Sequence, residues 1–213
     1  MRGSRHGIPT RDRKHDKYDR KDAWYERAKR EGYRSRAAYK LLEIQQKQRL
    51  LRRGQRVADL GCWPGGWLQV AAAAVGPEGR VVGVDLAAIE PPLELANVFT
   101  ISADLADPSV PQRVLELLGG PAQVLLSDAA PKLTGVRDTD RAREEALLEQ
   151  ISALVPALLA PGGDLLLKLF DAPEADRVAK ALGRRFARTQ GTRPEASRKG
   201  TSERYLLARG FQG

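Results

Sequence analysis

The sequence contains few of the residues on which most catalytic and structural sites depend. Its 213 residues include two histidines and one cysteine. Both histidines, His6 and His15, lie in a polar leader without an apolar pattern, so the folded part contains Cys62 alone. A Ser-His-Asp triad, a Cys-His nucleophile pair, a structural zinc site and a disulfide each need more than that. We therefore expect no site of these kinds and no metal.

Long apolar runs are missing as well. No stretch approaches the roughly 18 consecutive apolar residues of a membrane span, and the leader MRGSRHGIPTRDRKHDKYDRKD lacks the apolar core of a secretory signal. These absences favour a cytosolic protein. With 213 residues, 42% of them hydrophobic, the chain suits one domain with a full core and is too short for two ordinary domains.

The net charge of +9 is concentrated at the front of the chain. Residues 1–56 hold 19 basic and 7 acidic residues, whereas residues 57–213 hold 17 and 20. A basic front end on a neutral-to-acidic body indicates a phosphate-bearing partner, although a solvated tail that aids solubility has the same composition. Residues 1–31 show no helical or strand period, which predicts a flexible basic arm. Residues 32–213 are predicted to form one domain.

From residue 35 onward the apolar pattern is regular. The run SRAAYKLLEIQQK predicts an amphipathic helix that places Leu41 on its apolar side and Lys40 on its cationic side. After it, β-rich runs alternate with helix-length segments, and the predicted strands are RVADL, RVVGVD, NVFTIS, AQVLLSD, GDLLLKLF and SERYLLARG. This alternation predicts an α/β fold with a mostly parallel sheet and helices on both faces. The last strand is expected to run antiparallel at or near the sheet edge.

The turn after the first predicted strand has the composition of a ligand-binding loop. It reads DLGCWPGGW, from Asp59 to Trp67, and in an open α/β sheet it faces the crevice at the carboxyl ends of the strands. Its glycines, Gly61, Gly65 and Gly66, let the backbone approach a ligand closely. The spacing is not G-x-G-x-x-G, and Pro64 removes an N–H that a pyrophosphate would need, which argues against NAD.

Two further acidic residues follow the next two predicted strands. Asp85 lies 24 residues past Gly61, where a carboxylate accepts both hydroxyls of a ribose. Asp104 is placed to accept a hydrogen bond from an exocyclic amine such as that of adenine. A cofactor with a ribose and an adenine but no pyrophosphate is S-adenosylmethionine, and the D-x-G-x-x-P-G-G loop fits it.

A lysine in the fifth predicted strand marks a candidate catalytic centre. In LLLKLF, Lys168 interrupts a run that should be buried, and a buried ammonium is costly unless it is paired or neutral. A lysine that only extends to solvent at a strand end is the alternative. Asp128 follows the fourth strand at the same edge of the sheet, so it is the expected partner of Lys168.

Taken together, these motifs resemble the FtsJ family of ribosomal RNA 2′-O-methyltransferases. The resemblance covers about residues 29–208 through SRAAYKLLEI, DLGCWPGGW, VGVD, SDAAP, LLKLF and SRKGTSERYLLA, in this order. It implies a sheet of six parallel strands and one antiparallel strand. It also implies a catalytic tetrad of Lys40, Asp128, Lys168 and Glu203. The methyl-donor contacts that it implies fall on Gly65, Trp67, Asp85, Asp104 and Asp128.

The resemblance implies 2′-O-methylation of a uridine ribose in large-subunit ribosomal RNA, on the assembled subunit, by a cytoplasmic enzyme that uses S-adenosylmethionine. We expect a monomer whose partner is that RNA or subunit, without membrane or metal. A tRNA substrate, a non-catalytic RNA-binding assembly factor and an NAD-dependent oxidoreductase remain alternatives. Three positions depart from the common family pattern: Cys62 and Trp63 in the loop, and Lys132 after SDAAP.

The RNA contacts are less determined by the sequence. Candidate phosphate-binding cations are Arg36, Lys47, Arg49, Arg52, Arg53 and Arg56. Three aromatic residues, Trp24, Tyr25 and Tyr33, are candidates for stacking on unpaired bases. The alternative is that the charged residues are simply solvated and that the aromatic residues pack in the core.

Overall fold

The computed structural model describes residues 24–197 and 200–213. In chain order the helices and strands are α1 (24–30), α2 (Ala38–Gln48), β1 (Arg56–Leu60), α3 (Gly66–Val75), β2 (Arg80–Asp85), β3 (Val98–Ser102), α4 (Val110–Leu118), β4 (Ala122–Ser127), α5 (Arg137–Leu158), β5 (Leu159–Phe170), α6 (Pro173–Gly183), β6 (Phe186–Thr192) and β7 (Glu203–Phe211).

The strands form one seven-stranded sheet in the order β3-β2-β1-β4-β5-β7-β6. All neighbours from β3 to β5 pair in parallel, whereas β7 is antiparallel to both β5 and β6. The predicted α/β fold and the antiparallel last strand are confirmed. The strand order reverses between β1 and β4, and ligands bind in such sheets outside the carboxyl ends of the strands at that point.

Helices cover both faces of the sheet, and each face has its own apolar core. One core contains the apolar sides of α4, α5 and α6, and the other contains those of α2 and α3. Successive strand residues alternate between them: in β5, Leu165 and Leu167 join the first core and Leu166 the second. Strands buried on both faces explain why the sequence shows nearly continuous apolar runs in β1, β2, β4 and β5.

Three elements differ from the sequence prediction. Residues 24–30 form α1 within the segment for which no regular structure was predicted. The prediction is wrong there because α1 packs Ala28 and Trp24 against Tyr39 of α2. The apolar pattern predicts neither helix α6 nor strand β6, although the family resemblance implies a seventh strand, since α6 buries mainly small residues and most of β6 is exposed. Residues 1–23, with His6 and His15, lie outside the described residues.

Among residues 24–197 and 200–213, no helix combines the length and the apolar character that a membrane span requires. The same part of the chain contains no group of three or more His, Cys, Asp or Glu side chains arranged to hold a metal ion.

Candidate active site

Side chains two residues apart in a strand point to the same face, and this brings a polar cluster together on the α2/α3 face of the sheet. Leu126 in β4 and Leu166 in β5 point into the core on that face, so Asp128 and Lys168, two residues further along, point to the same side. In the antiparallel β7, Tyr205 belongs to this core as well. Glu203 therefore points there too, at the same sheet edge.

The four residues of the expected tetrad lie together in the structure. Lys40, Lys168 and Glu203 are buried and Asp128 is half-buried. Two ammonium groups and two carboxylates make the cluster neutral overall, which makes the burial of four charged groups tolerable. Lys40 does not lie on a solvated helix face, as its position in the helical pattern predicted. That prediction is wrong because the second core and β7 cover this side of α2.

Lys40 uses its whole donor capacity within the protein. Its Nζ lies 3.2 Å from Asp128 Oδ2, 3.1 Å from Glu203 Oε2 and 3.0 Å from the hydroxyl of Tyr205. An ammonium has three N–H donors, and these three acceptors account for them. Lys40 therefore holds Asp128 and Glu203 in place and has no donor left for a substrate.

Lys168 has a different environment from Lys40. Its Nζ donates to the backbone carbonyl of Asp128 at 2.5 Å and lies 3.3 Å from Asp128 Oδ1. Among the described residues these are its polar partners, so one of its three N–H donors remains for a bound molecule. Of the two lysines, Lys168 is the one equipped to contact a substrate.

Tyr205 is a fifth member of the cluster that the sequence analysis missed. Its fully buried hydroxyl donates to Asp128 Oδ1 at 2.7 Å and accepts from Lys40. Burial, with the carboxylates of Asp128 and Glu203, raises the pKa of Tyr205 well above its ordinary value, so the phenol stays protonated. The available signal in the sequence was the spacing, because Tyr205 lies two residues after Glu203 in the last strand and therefore shares its face.

Glu144 of α5 supports the same strand end from the opposite face. Its Oε1 accepts the backbone N–H of Phe170 at 2.7 Å, at the end of β5. Burial raises the pKa of the Glu144 carboxyl above its ordinary value. Phe170 is the register partner of Glu203, so this bond fixes the strand end that carries Lys168 and Glu203.

Asp59 in β1 is the most unusual group of the crevice. It is almost completely buried, and neither carboxylate oxygen has a hydrogen-bond partner among the described residues. Burial raises the pKa of this carboxyl well above its ordinary value, and the charges of Asp128 and Asp85 raise it further. A buried polar group without a partner costs stability, which makes Asp59 a candidate for binding a cationic ligand.

Replacing Asp59 by asparagine will make the free energy of unfolding of the ligand-free protein fall less steeply as pH rises. Because the pKa of Asp59 is raised in the folded state, the proton on its carboxyl contributes its full stabilisation below the unfolded-state pKa of about 3.9. It is lost as pH rises through the folded pKa, at up to about 1.4 kcal/mol per pH unit. In urea unfolding between about pH 5 and pH 8, the wild type will therefore lose more stability than Asp59→Asn.

The control for this measurement is Asp138→Asn, which changes an exposed carboxylate in the first turn of α5. It should follow the wild-type pH dependence. If Asp59→Asn follows it too, Asp59 does not hold a proton in the folded protein.

The glycines of the β1–α3 loop make room mainly for neighbouring parts of this chain. A Cβ on Gly61, which has φ +82°, would lie 2.4 Å from Cβ of Ala129. A Cβ on Gly66 would lie 2.4 Å from Oγ of Ser35. The loop is thus packed against the β4–α5 turn and the segment before α2, and this differs from the predicted reason, close approach to a ligand. Gly65, with φ +107°, needs glycine for its backbone conformation.

The other predicted cofactor contacts divide into residues at the crevice and residues buried away from it. Asp85 is half-buried, and its two oxygens accept the N–H groups of Trp63 at 2.9 Å and Ala87 at 3.0 Å. Asp104 is exposed, and its Oδ1 accepts the N–H of Ala106. The indole of Trp67 is buried and donates to the carbonyl of Ala37, so only its backbone, in the first turn of α3, faces the loop.

Exposed apolar side chains surround the mouth of the crevice. Trp63, in the β1–α3 loop next to the half-buried Pro64, is 59% exposed, and Leu86 after β2 is 73% exposed. Leu133 in the β4–α5 loop is exposed as well, beside the exposed Lys132. Such surface is available to stack on or pack against a planar ligand.

The predicted RNA contacts are only partly available. Trp24 and Tyr33 are half-buried and pack against Tyr39, which favours the alternative of core packing, whereas Tyr25 is exposed. Among the predicted cations, Lys47 pairs with Glu43 on the same helix.

Comparison with known proteins identifies the family. A family profile described as FtsJ-like methyltransferase matches residues 33–211. The chain belongs to this family. The protein named ribosomal RNA large subunit methyltransferase E of Methanothermobacter thermautotrophicus is 45% identical over 195 residues, which are 91% of this chain and 92% of that protein.

Solved structures agree with this membership. A ribosomal RNA methyltransferase from Plasmodium falciparum superposes with a TM-score of 0.73 at 27% identity, over 85% of this chain and all of that chain. Fibrillarin from Aeropyrum pernix with bound S-adenosylmethionine superposes with a TM-score of 0.60 at 18% identity, over 87% and 76% of the two chains, and shares the fold. This FtsJ-like methyltransferase uses S-adenosylmethionine as its methyl donor.

Proposed function

We propose that this FtsJ-like methyltransferase methylates the 2′-hydroxyl of a uridine ribose in large-subunit ribosomal RNA, on the assembled subunit. The observation that carries the proposal is the difference between the two lysines. Lys40 is saturated by protein acceptors, whereas Lys168 keeps one N–H donor and lies beside Asp128 at the edge of the crevice.

Lys168 positions the hydroxyl that attacks the methyl group. A ribose hydroxyl is a weak nucleophile, so the protein must align its oxygen with the methyl carbon and guide its proton away. When bound, S-adenosylmethionine supplies a methyl group that is activated by a positively charged sulfur. As the O–C bond forms and the C–S bond breaks, the hydroxyl proton passes to Lys168 Nζ while Lys168 gives one of its own protons to the carboxylate of Asp128, so the proton released by methylation ends on Asp128. Lys40 and Tyr205 hold Asp128, Glu203 holds Lys40, and Asp128 holds Lys168.

The crevice offers partners for the charged groups of S-adenosylmethionine. Asp59 has two oxygens without partners, suited to a cationic group such as the ammonium of a methionine moiety. The first backbone N–H groups of α3 are available for a carboxylate. We assign the cofactor to a set of residues around the β1–α3 loop and the neighbouring strand ends: Asp59, Gly61, Pro64, Gly65, Gly66, Trp67, Asp85, Asp104 and Asp128.

The relatives support the choice of RNA. Both the archaeal relative and the Plasmodium structure are named as methyltransferases of ribosomal RNA. Because the proposed substrate is the assembled ribosomal subunit, we propose that the enzyme acts in the cytoplasm.

Methyl transfer to defined RNA acceptors tests the proposal. Labelled S-adenosylmethionine is offered with purified large subunits, naked ribosomal RNA or bulk tRNA, each from cells that lack this protein. We expect label on the large subunit alone, and nuclease mapping should place it as 2′-O-methyluridine.

Two other outcomes would overturn parts of the proposal. Label on tRNA would keep the chemistry and change the substrate. No label on any acceptor, with calorimetry still showing cofactor binding, would favour a non-catalytic RNA-binding factor. Small subunits are the matched negative control, because they present ribosomal RNA without the target.

A further inference from the structure

A basic cavity lies on the tetrad's face of the sheet, away from the crevice. It has a volume of about 360 Å³ and lies between the end of α2, the edge strand β6 and the end of β7. Its lining includes Arg49, Arg52, Arg188, Gln190, Leu207 and Arg209. None of these residues belongs to the tetrad or to the proposed cofactor site.

Three of the four arginines around this cavity have no counter-charge among the described residues. Arg209 donates to Asp164 at 3.0 Å and to the carbonyl of Gln48 at 2.6 Å, so it is neutralised and fixed in place. Arg49, Arg52 and Arg188 are exposed, and within residues 24–197 and 200–213 their guanidinium groups have no ion-pair or hydrogen-bond partner. Three cations around one cavity repel each other, which an anionic ligand would relieve.

The fold places these arginines together. Arg188 and Arg209 are register partners on β6 and β7, and Gln190 and Leu207 form the next pair on the same face. Arg49 ends α2 in the left-handed conformation, with φ 49°. In the described structure, α6 covers the other face of the sheet near β6, and this face of β6 is exposed.

The position of the cavity relative to Lys168 is suited to a long ligand. Along α2, the eight residue steps from Lys40 to Gln48 span about 12 Å. Along β7, the four residue steps from Tyr205, the register partner of Lys168, to Arg209 span about 14 Å. At ~3.4 Å per nucleotide along a stacked strand, each of these two distances corresponds to about three to four nucleotides of RNA between the polar cluster and the cavity.

We propose that Arg49, Arg52 and Arg188 bind the ribose-phosphate backbone of the substrate RNA a few nucleotides from the methylated ribose. The proposal deepens the proposed function and rests on it for the identity of the ligand. Guanidinium groups bind phosphate oxygens through paired N–H donors. Backbone contacts of this kind set the register of the strand without reading its sequence.

The test is a charge-removal variant with a matched control. Arg49→Asn with Arg188→Gln removes two cations, and asparagine tolerates the left-handed conformation of residue 49. Arg113→Gln with Lys180→Gln removes two exposed cations from α4 and α6, on the opposite face. Binding of end-labelled oligouridine and of naked ribosomal RNA is measured between about 50 and 300 mM KCl.

We expect the cavity variant to bind both RNAs about tenfold more weakly at 100 mM KCl than the control. Its plot of log affinity against log salt should be less steep by about 1.4, the value for two lost phosphate contacts on a single strand. The KM for RNA should rise while kcat and cofactor affinity stay unchanged. Equal affinity and equal slope in the two variants would overturn the proposal.

The remaining outcomes separate this inference from the proposed function. A defect on assembled subunits without any defect on naked RNA would overturn the RNA proposal in favour of a protein partner. RNA binding with the expected slopes, but no methyl transfer by the wild type, would contradict the proposed function and leave the arginine site standing.

Discussion

Replacing Lys168 by methionine will lower kcat for methyl transfer by about 10²- to 10⁴-fold, the usual range for a positioned acid-base group. Methionine roughly preserves the length of the side chain and removes the ammonium, with its donor for the substrate hydroxyl. The rest of the cluster keeps its contacts, because Asp128 retains Lys40 and Tyr205. Single-turnover transfer to saturating RNA measures the loss, and calorimetry measures the affinity for S-adenosylmethionine, which should change little.

Two further variants define what the loss means. Lys180→Met removes an exposed lysine of α6 and should leave turnover at the wild-type value. Lys168→Arg keeps the charge but presents a planar group with a different reach, and we expect it to restore little activity. Near-normal turnover of Lys168→Met with intact cofactor binding would remove Lys168 from the reaction.

The contrast between the core strands and β6 shows what the sequence can predict about this fold. Strands β1, β2, β4 and β5 are buried on both faces, so apolar runs mark them. Strand β6, FARTQGT, exposes most of its residues, pairs with β7 and buries mainly Phe186. A strand defined by backbone pairing leaves little apolar pattern, and this is why it was not predicted.

The members of the polar cluster were recognisable to different degrees. Lys168 stands out because it is a charge in an apolar run, and the structure confirms that it is buried and paired. Lys40 looked like a solvated lysine, and Glu203 like an ordinary carboxylate at a strand start. Only the family resemblance marked these two. Their burial depends on three elements far apart in the chain, which local periodicity does not report.

The β1–α3 loop shows a different limit of prediction from the sequence. The loop from Asp59 to Trp67 was recognised from its glycines, but Gly61 and Gly66 are tightly packed against Ala129 and Ser35. Glycine composition indicates a close approach without saying what approaches. Asp59 belongs to the loop predicted from the sequence, but the lack of any partner for its buried carboxylate depends on the packing around β1, which the sequence does not report.

Replacing Asp128 by asparagine will cost both activity and stability. Three donors, Lys40, Lys168 and Tyr205, converge on this carboxylate, and asparagine would carry no charge and present an N–H₂ group to some of them. The change leaves the cluster with a net positive charge that is largely buried. Removing one partner of a buried ion pair typically costs about 3–5 kcal/mol, so urea unfolding should show a loss of that order, together with a fall in kcat.

Asp171→Asn is the matched control for this prediction. Asp171 also meets two cations, Arg193 and Arg204, but its side chain is 50% exposed, and solvent screening limits such pairs to about 1 kcal/mol or less. Lys168→Met is a useful comparison, since it should lose turnover but less stability than Asp128→Asn, because Asp128 keeps Lys40 and Tyr205 as partners. If Asp128→Asn were as stable as Asp171→Asn, the carboxylate would not be the counter-charge that holds both lysines, and the role assigned to Lys40 would fail with it.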